Sequence, residues 1–349
     1  MKIKYQTSEL FRALVLIGLF LFAFVIGGGN TNNPDYFEYE YRYTNLVNAS
    51  HTSSLLYLFQ VIFHKIGVSY QLFRAIEVFI GLFLLTKTIR RYSEKWVFVF
   101  ALYLVYPFLL DVVQLGNFVA YTIALFSLKY LEEEWPKGGI KYAIAILIAS
   151  QFHILAIIYM IFLLVYVKNT KHLMLIAIGI TAFLTATISL LPQFINHIPF
   201  ISSHAAQIQY YITFNESYRG GAFVYGILII VCFFVCYYKE SLTKRYYQPG
   251  EDLVISGTMI RILALVLCFV PFIIINSEFV RIIRNTWVLY YISLTYDIKK
   301  VNRKMYTLDK LFKLTAILLA VFLFYKELSP SAFYYESVTQ AIFDNNLFW

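Results

Sequence analysis

The residues best suited to chemistry fall into three groups. The first is the run NNPDYFEYEYRYTN, where Asp35, Glu38 and Glu40 alternate with Tyr36, Tyr39 and Tyr41 and are followed by Arg42. A carboxylate beside a cavity can act as a general base, with its pKa set by burial and neighbours; the same carboxylates also read as a solvated acidic loop. The second group is a set of arginines, Arg42, Arg74, Arg219, Arg281 and Arg284, which fall on the outward side of the topology derived below, where the positive-inside rule leaves few cations. A guanidinium is a planar fork that grips phosphate bidentately. Arg281 and Arg284 are three apart, so they share a helix face at a membrane end and suit a diphosphate headgroup; snorkelling or pairing with Glu278 is the alternative use. Arg74 and Glu77, also three apart, read as a structural ion pair. The third group is Gln151 and His153, set in the apolar run Tyr142–Val167, with Pro107, Asp111, Gln114 and Asn117 forming a short turn nearby. An ionisable residue inside a membrane segment is a functional hypothesis by default, with a satisfied core histidine as the other reading.

The elements that must position these groups follow from composition. The chain has 349 residues, is 60% hydrophobic and only 14% charged, and carries a net charge of +9. Its mean hydropathy is +0.66. That is too much apolar surface for a water-soluble core and too little polarity for disorder. A polytopic, all-α integral membrane protein remains, forming a single membrane domain over residues 1–349. Cys232, Cys236 and Cys268 lie in apolar runs without metal-ligand spacing and read as small hydrophobes. No phosphate-binding loop, dinucleotide fingerprint, nucleophile elbow or HExxH is present, which removes nucleotide-driven pumps, serine hydrolases and zinc proteases. Nothing points to nucleic acid. Glu38-x-Glu40 has a faint likeness to the metal-binding Asp-x-Asp of sugar-nucleotide transferases.

A span needs about 20 predominantly apolar residues. Runs that meet or approach this lie at about 13–29, 70–89, 96–110, 118–131, 173–191, 223–238, 260–275, 287–297 with flanks, and 311–325, roughly ten spans in all. Arg90, Arg91 and Lys95, then Lys137 and Lys141, then Lys239, Lys244 and Arg245, then Lys299, Lys300, Arg303 and Lys304 mark the cytoplasmic loops, with the N-terminus inside. If Tyr142–Val167 crossed once, Lys168 and Lys171 would fall outside and every later loop would invert. Two short helices that enter and return with His153 near the tip keep all basic loops inside. Such a broken pair is tolerated only where it is buried in protein or lines a polar cavity. The outer surface is then Thr31–Ser69, the Asp111–Gln114 turn, the Pro192–Gly221 loop, Asn276–Asn285 and the tail of about 327–349. His51, His64, His172, His197 and His204 show no readable pattern.

The sequence resembles the EpsG/Wzy group of bacterial polysaccharide polymerases through most of its length. The most specific stretches are YPFLLDVVQLGNFVAYTIALFSLKYL and AILIASQFHILAIIYM. Gln114, Asn117, Phe152 and His153 match the family pattern, as do Asp35 and Tyr36 in the first outer loop and Arg281 opening a late helix. Gly116 stands where many relatives carry arginine. The resemblance implies a fold like that of the membrane GT-C glycosyltransferases and a processive transferase on the outer face of the bacterial inner membrane. The growing chain on a polyprenyl diphosphate would pass to a hydroxyl of a new lipid-linked repeat unit, building capsule, exopolysaccharide or O-antigen. Arg281, Arg284 or Arg219 would meet the diphosphate, with Tyr36, Tyr39, Arg42, Gln114 and Asn117 holding substrate. Asp35, Glu38 or His153 would take the acceptor proton. Neither metal nor nucleotide cofactor is required. Implied partners are the polyprenyl-diphosphate-linked oligosaccharide, the lipid bilayer, and a chain-length regulator and flippase of the same pathway. A lipid-linked glycan ligase or single-sugar transferase is the nearest rival. A flippase or transporter is the non-enzymatic one, although no pseudo-symmetry between halves stands out.

Overall fold

The computed structural model describes residues 2–47, 54–187, 219–246, 254–298 and 302–349. Those residues form helices, and an isolated bridge, Asn30 to Asn346, is the one strand-like pairing among them. In chain order the helices are α1 (Lys2–Gly29), α2 (Tyr36–Thr44), α3 (Ser54–Lys65), α4 (Tyr70–Tyr92), α5 (Trp96–Val105), α6 (Phe108–Val113), α7 (Leu115–Ser127) and α8 (Lys137–Ser150). A 3₁₀ segment (Ile154–Tyr166) precedes α9 (Thr170–Thr187), α10 (Arg219–Tyr246), α11 (Val254–Leu265) and α12 (Val270–Ile275). The chain closes with α13 (Val280–Arg284), α14 (Trp287–Thr295), α15 (Arg303–Leu328) and α16 (Ala341–Asp344). Among the described residues, four stretches are long and apolar enough to cross a membrane: Glu9–Gly29, Thr170–Thr187, Gly220–Arg245, and Gly257–Ile274 through α11 and α12. Most of the Pro192–Gly221 loop lies outside the described residues, as do His51, His197, His204, Lys299 and Lys300.

The awkward run Tyr142–Val167 folds as two antiparallel pieces. The Tyr142 hydroxyl donates to the Tyr159 carbonyl at 2.9 Å, Trp135 meets Tyr166 edge-on, and the chain reverses at Gln151-Phe152-His153. The return limb is a 3₁₀ helix of 13 residues. At about 2.0 Å per residue it reaches about 26 Å, close to the hydrocarbon thickness, where an α-helix of that length would fall well short. Glycine permits the close approach at the hairpin base, since a Cβ on Gly138 would collide with the Tyr130 carbonyl. In lipid the gain from burying apolar surface is small, so such close backbone packing holds helices together.

The connections collect at two ends. At one end Arg91 bonds Glu132 at 2.5 Å, Lys95 bonds Asp297 at 2.8 Å, and Lys141 bonds Glu133 at 2.7 Å. At the other end Gln71 donates to the Gly28 carbonyl, Leu56 to the Gln151 carbonyl, Arg284 to Gln114 and Tyr106 to Glu327. The tail closes this second end: Leu347 donates to the Gly29 carbonyl and Thr31 to the Asn345 carbonyl, both at 2.9 Å.

The expected outer segment Thr31–Ser69 carries α2 and α3. Several expectations are corrected. Asp111 does not sit in an exposed turn; Leu109, Leu110, Val112 and Val113 continue the apolar pattern, so α6 carries Asp111 inward to 0% exposure. Asn276–Asn285 carries the helix expected at Arg281 and Arg284, but it is not an exposed surface: Phe279, Ile282 and Ile283 pull it into the core. Arg74 forms no ion pair with Glu77 and instead donates to the Val112 carbonyl at 2.8 Å. Lys239 is no loop charge. It is fully buried, and its ammonium donates to the Leu294 and Tyr296 carbonyls at 2.7 and 2.6 Å, filling orphan acceptors at the C-terminus of α14. Every residue of α14 is buried, as its all-round apolar sequence requires.

The hairpin puts Val167 at the basic end, which the positive-inside rule assigns to the cytoplasm. A reporter fused after Val167 should therefore read as cytoplasmic in an accessibility assay. An external signal there would overturn this topology.

Candidate active site

A cavity of about 950 Å³ opens at the end opposite the basic loops. It gathers Asp35, Glu38, Tyr39 and Arg42 from the first connection and α2, Gln114 from the α6–α7 break, His153 from the hairpin tip, and Arg281 and Arg284 from α13. Two expected residues stand apart. Tyr36 is buried beside the cavity, donating to Gln71 at 2.9 Å with the Arg74 guanidinium 5.8 Å from its ring centre. Asn117 lies one turn below Gln114, where its amide faces that of Asn285 at 3.4 to 3.5 Å. Arg219 opens α10, and its side chain lies outside the described residues.

Arg284 is 5% exposed and fixed from two sides. Its Nη2 donates to Gln114 Oε1 at 2.9 Å, and its Nε stands 3.6 Å from Asp111 Oδ1. The other oxygen of Asp111 accepts the Tyr103 hydroxyl at 2.9 Å and the Tyr121 hydroxyl at 2.5 Å. A buried carboxylate needs such donors to remain charged, and a buried guanidinium needs the carboxylate. Arg281 takes the alternative foreseen for it, bonding the Glu278 carboxylate through Nη2 and the Glu278 carbonyl through Nε at 2.8 Å. Both arginines nevertheless line the cavity, one helical turn apart.

The candidate bases differ. Asp35 is half-buried, and its backbone N–H is held by Asn33 Oδ1 at 3.1 Å. Asn33 is in turn tied to Asn30 at 2.6 Å. Burial pushes the Asp35 carboxyl above its ordinary pKa, while Arg281, Arg42, Arg74 and Arg284 pull against that rise. Glu38 is exposed and bonded to Arg42 at 2.7 Å, one turn on. Glu38 and Glu40 sit two apart on α2, so they do not face one another as a metal pair would. Among the described residues no group of three His, Cys, Asp or Glu side chains could hold a metal ion. His153 caps the 3₁₀ segment: its Nδ1 accepts the Leu155 N–H at 3.4 Å. The neutral tautomer compatible with that bond carries its proton on Nε2, which leaves a donor on a ring that lines the cavity.

Sequence reasoning missed the far wall, formed by Tyr225 of α10, Lys326 and Glu327 of α15, and Tyr334 of the tail. Glu327 is 7% exposed and accepts the hydroxyls of Tyr106, at 2.9 Å, and Tyr225. The rule that singled out the outward arginines applies equally to Lys326. Gly116 adjoins the cavity wall; a Cβ there would sit 3.2 Å from the Phe152 carbonyl and 3.7 Å from the Tyr39 hydroxyl.

In comparison with known proteins, the family model described as the EpsG family matches residues 13–337, nearly the whole chain. No curated protein and no solved structure matches.

Because the folded Asp35 holds its proton to higher pH than the unfolded chain does, its contribution to stability is full below the ordinary carboxylate pKa and is lost as pH rises through the raised value. Thermal unfolding of the purified protein against pH should show this fall, and Asp35→Asn should flatten it. Identical pH profiles for the two proteins would contradict the raised pKa.

Proposed function

The chain belongs to the EpsG family, and on that premise we propose that it joins polyprenyl-diphosphate-linked oligosaccharide units into a polysaccharide at the outer face of the bacterial inner membrane. Family membership suggests a polymerase-type role in polysaccharide biosynthesis; the lipid-linked substrate, the outward site and a roughly ten-span GT-C-like architecture are part of this proposal. The observation that carries it is the convergence of Asp35, His153, Arg281 and Arg284 on one cavity from segments far apart in the chain.

In this reading the acceptor sugar hydroxyl lies against Asp35, which takes its proton as the oxygen bonds to the anomeric carbon of the donor chain. The bond from that carbon to the diphosphate breaks with its electron pair going to the leaving oxygen. Diphosphate is a good leaving group, and Arg284, already fixed by Asp111 and Gln114, meets the developing charge without having to reorganise. Arg281 adds a second cation one turn away. The Nε2–H of His153 can hydrogen-bond a sugar or phosphate oxygen, and Tyr39 offers a ring for sugar stacking. Glu38, exposed and paired with Arg42, suits substrate contact better than proton transfer. No nucleotide is needed, since the substrate arrives activated. A flippase delivering the units and a chain-length regulator would be the pathway partners.

Purified protein given lipid-linked repeat units should build a ladder of products without any energy source. Arg284→Ala should slow chain extension by about 100-fold, the scale of losing one preorganised donor to a transition-state oxyanion. Arg281→Ala should cost less, because Glu278 already occupies part of that guanidinium. Substrate that crosses the bilayer unchanged would favour a transporter, and normal polymer length in both variants would sink the diphosphate role.

A further inference from the structure

Among the described side chains the cavity holds four cations, and three of them face a carboxylate. Arg42 is bonded to Glu38, Arg281 to Glu278, and Arg284 faces Asp111. Lys326 differs. Among the described residues its ammonium makes no ion pair and stands 3.8 Å from the centre of the Tyr225 ring. The carboxylate next to it in sequence, Glu327, is turned to the hydroxyls of Tyr106 and Tyr225. A half-buried lysine at a cavity wall, with no carboxylate bonded to it, favours an anion.

The two helices that bring Lys326 and Tyr225 together point to the kind of anion. α10 and α15 run antiparallel. They meet at the basic end, where the Tyr238 and Phe312 rings lie 6.3 Å apart, and again at the cavity end through Tyr225 and Lys326. About 13 residues separate the two contacts on each helix, about 20 Å of rise. α14 packs against both helices and so backs the seam between them. Flanking the upper contact, both helices expose large apolar side chains: Phe223, Val224 and Ile227 on α10, Val321, Phe322 and Tyr325 on α15. The cation therefore sits where the polar cavity adjoins an apolar, lipid-facing seam about as long as a bilayer leaflet is thick.

We propose that Lys326 and Tyr225 form the docking site for the phosphate headgroup of an isoprenoid lipid, whose hydrocarbon chain leaves the cavity along the α10–α15 seam. This rests on the lipid-linked substrate proposed above and adds where that lipid enters and which cation receives it. A headgroup passing Lys326 is then within the same cavity as Arg284, so Lys326 acts at entry and Arg284 at the reacting end. Charge selects the headgroup, and the apolar seam selects a membrane-borne phosphate over a soluble one.

The test uses the full-length protein in lipid nanodiscs, with a long-chain polyprenyl diphosphate, inorganic diphosphate and the uncharged polyprenol as probes. Lys326→Gln should weaken polyprenyl diphosphate binding about tenfold, the scale of one charge-assisted hydrogen bond. Lys326→Arg should restore most of it, and polyprenol binding should be indifferent to both. A photoactivatable polyprenyl diphosphate should label peptides from 219–246 and 303–328. Unchanged affinity in Lys326→Gln, or labelling confined to other helices, would overturn the assignment. Inorganic diphosphate binding as tightly as the lipid would overturn the seam. If Lys326→Gln still polymerises with the wild-type KM, the entry site fails while the polymerase reading stands; a wild-type protein that binds no polyprenyl diphosphate defeats both.

Discussion

A guanidinium buried at the end of a membrane protein is the constraint on which the cavity depends. Arg284 is 5% exposed, and an isolated charge in that position would cost several kcal/mol. Its compensation comes from three places. Asp111 supplies the countercharge, Tyr103 and Tyr121 stabilise that countercharge, and Gln114 gives the neutral hydrogen bond. Each of these has structural consequences. α6 must turn Asp111 inward, the chain must break at Gln114 so that its amide reaches across, and α5 and α7 must lie close enough for both tyrosines to reach one carboxylate oxygen. The result is a cation held ready at the cavity wall before any substrate arrives.

The rest of the molecule keeps that wall in place. Buried α14 follows directly on Arg284 and anchors it from below, and Lys239 satisfies the far end of the same helix. Asn285 ties α13 to Asn117 and to Tyr159 of the 3₁₀ limb, so the hairpin and the arginines are braced together. The tail crosses above, with Asn346 reaching back to the Val25 and Ile26 carbonyls of α1. Asn117, Tyr159, Asn285 and Asn346 thus use their polar groups to brace the segments that surround one cavity.

Much of this was legible in the sequence, for identifiable reasons. Apolar runs marked the long helices because lipid demands them. The parity of basic loops exposed the hairpin at Gln151 to His153, since one crossing too many would invert every later loop. The scarcity of outward cations singled out Arg281 and Arg284, and both line the cavity. The pairings were not legible. Gln114 and Arg284 are 170 residues apart, and Tyr106 and Glu327 are 221 apart; no local pattern reports such contacts. Pro107 and Gln114 flank Asp111 and suggest an exposed turn, although its apolar neighbours outweigh them. Lys239 belongs in sequence to the same basic group as Lys244 and Arg245, and sequence alone does not distinguish a cation that faces water from one that caps a buried helix.

In the proposed polymerase, Asp111 acts through Arg284 on the charge that develops in the cavity. The most direct measurement is a double-mutant cycle on chain extension by the purified protein, with Asp111→Asn, Arg284→Gln and the pair together. If the two residues form one unit, the double variant should be no slower than Arg284→Gln alone. Losses that simply multiply would mean that the two residues act independently, and the account built on their pairing would fail.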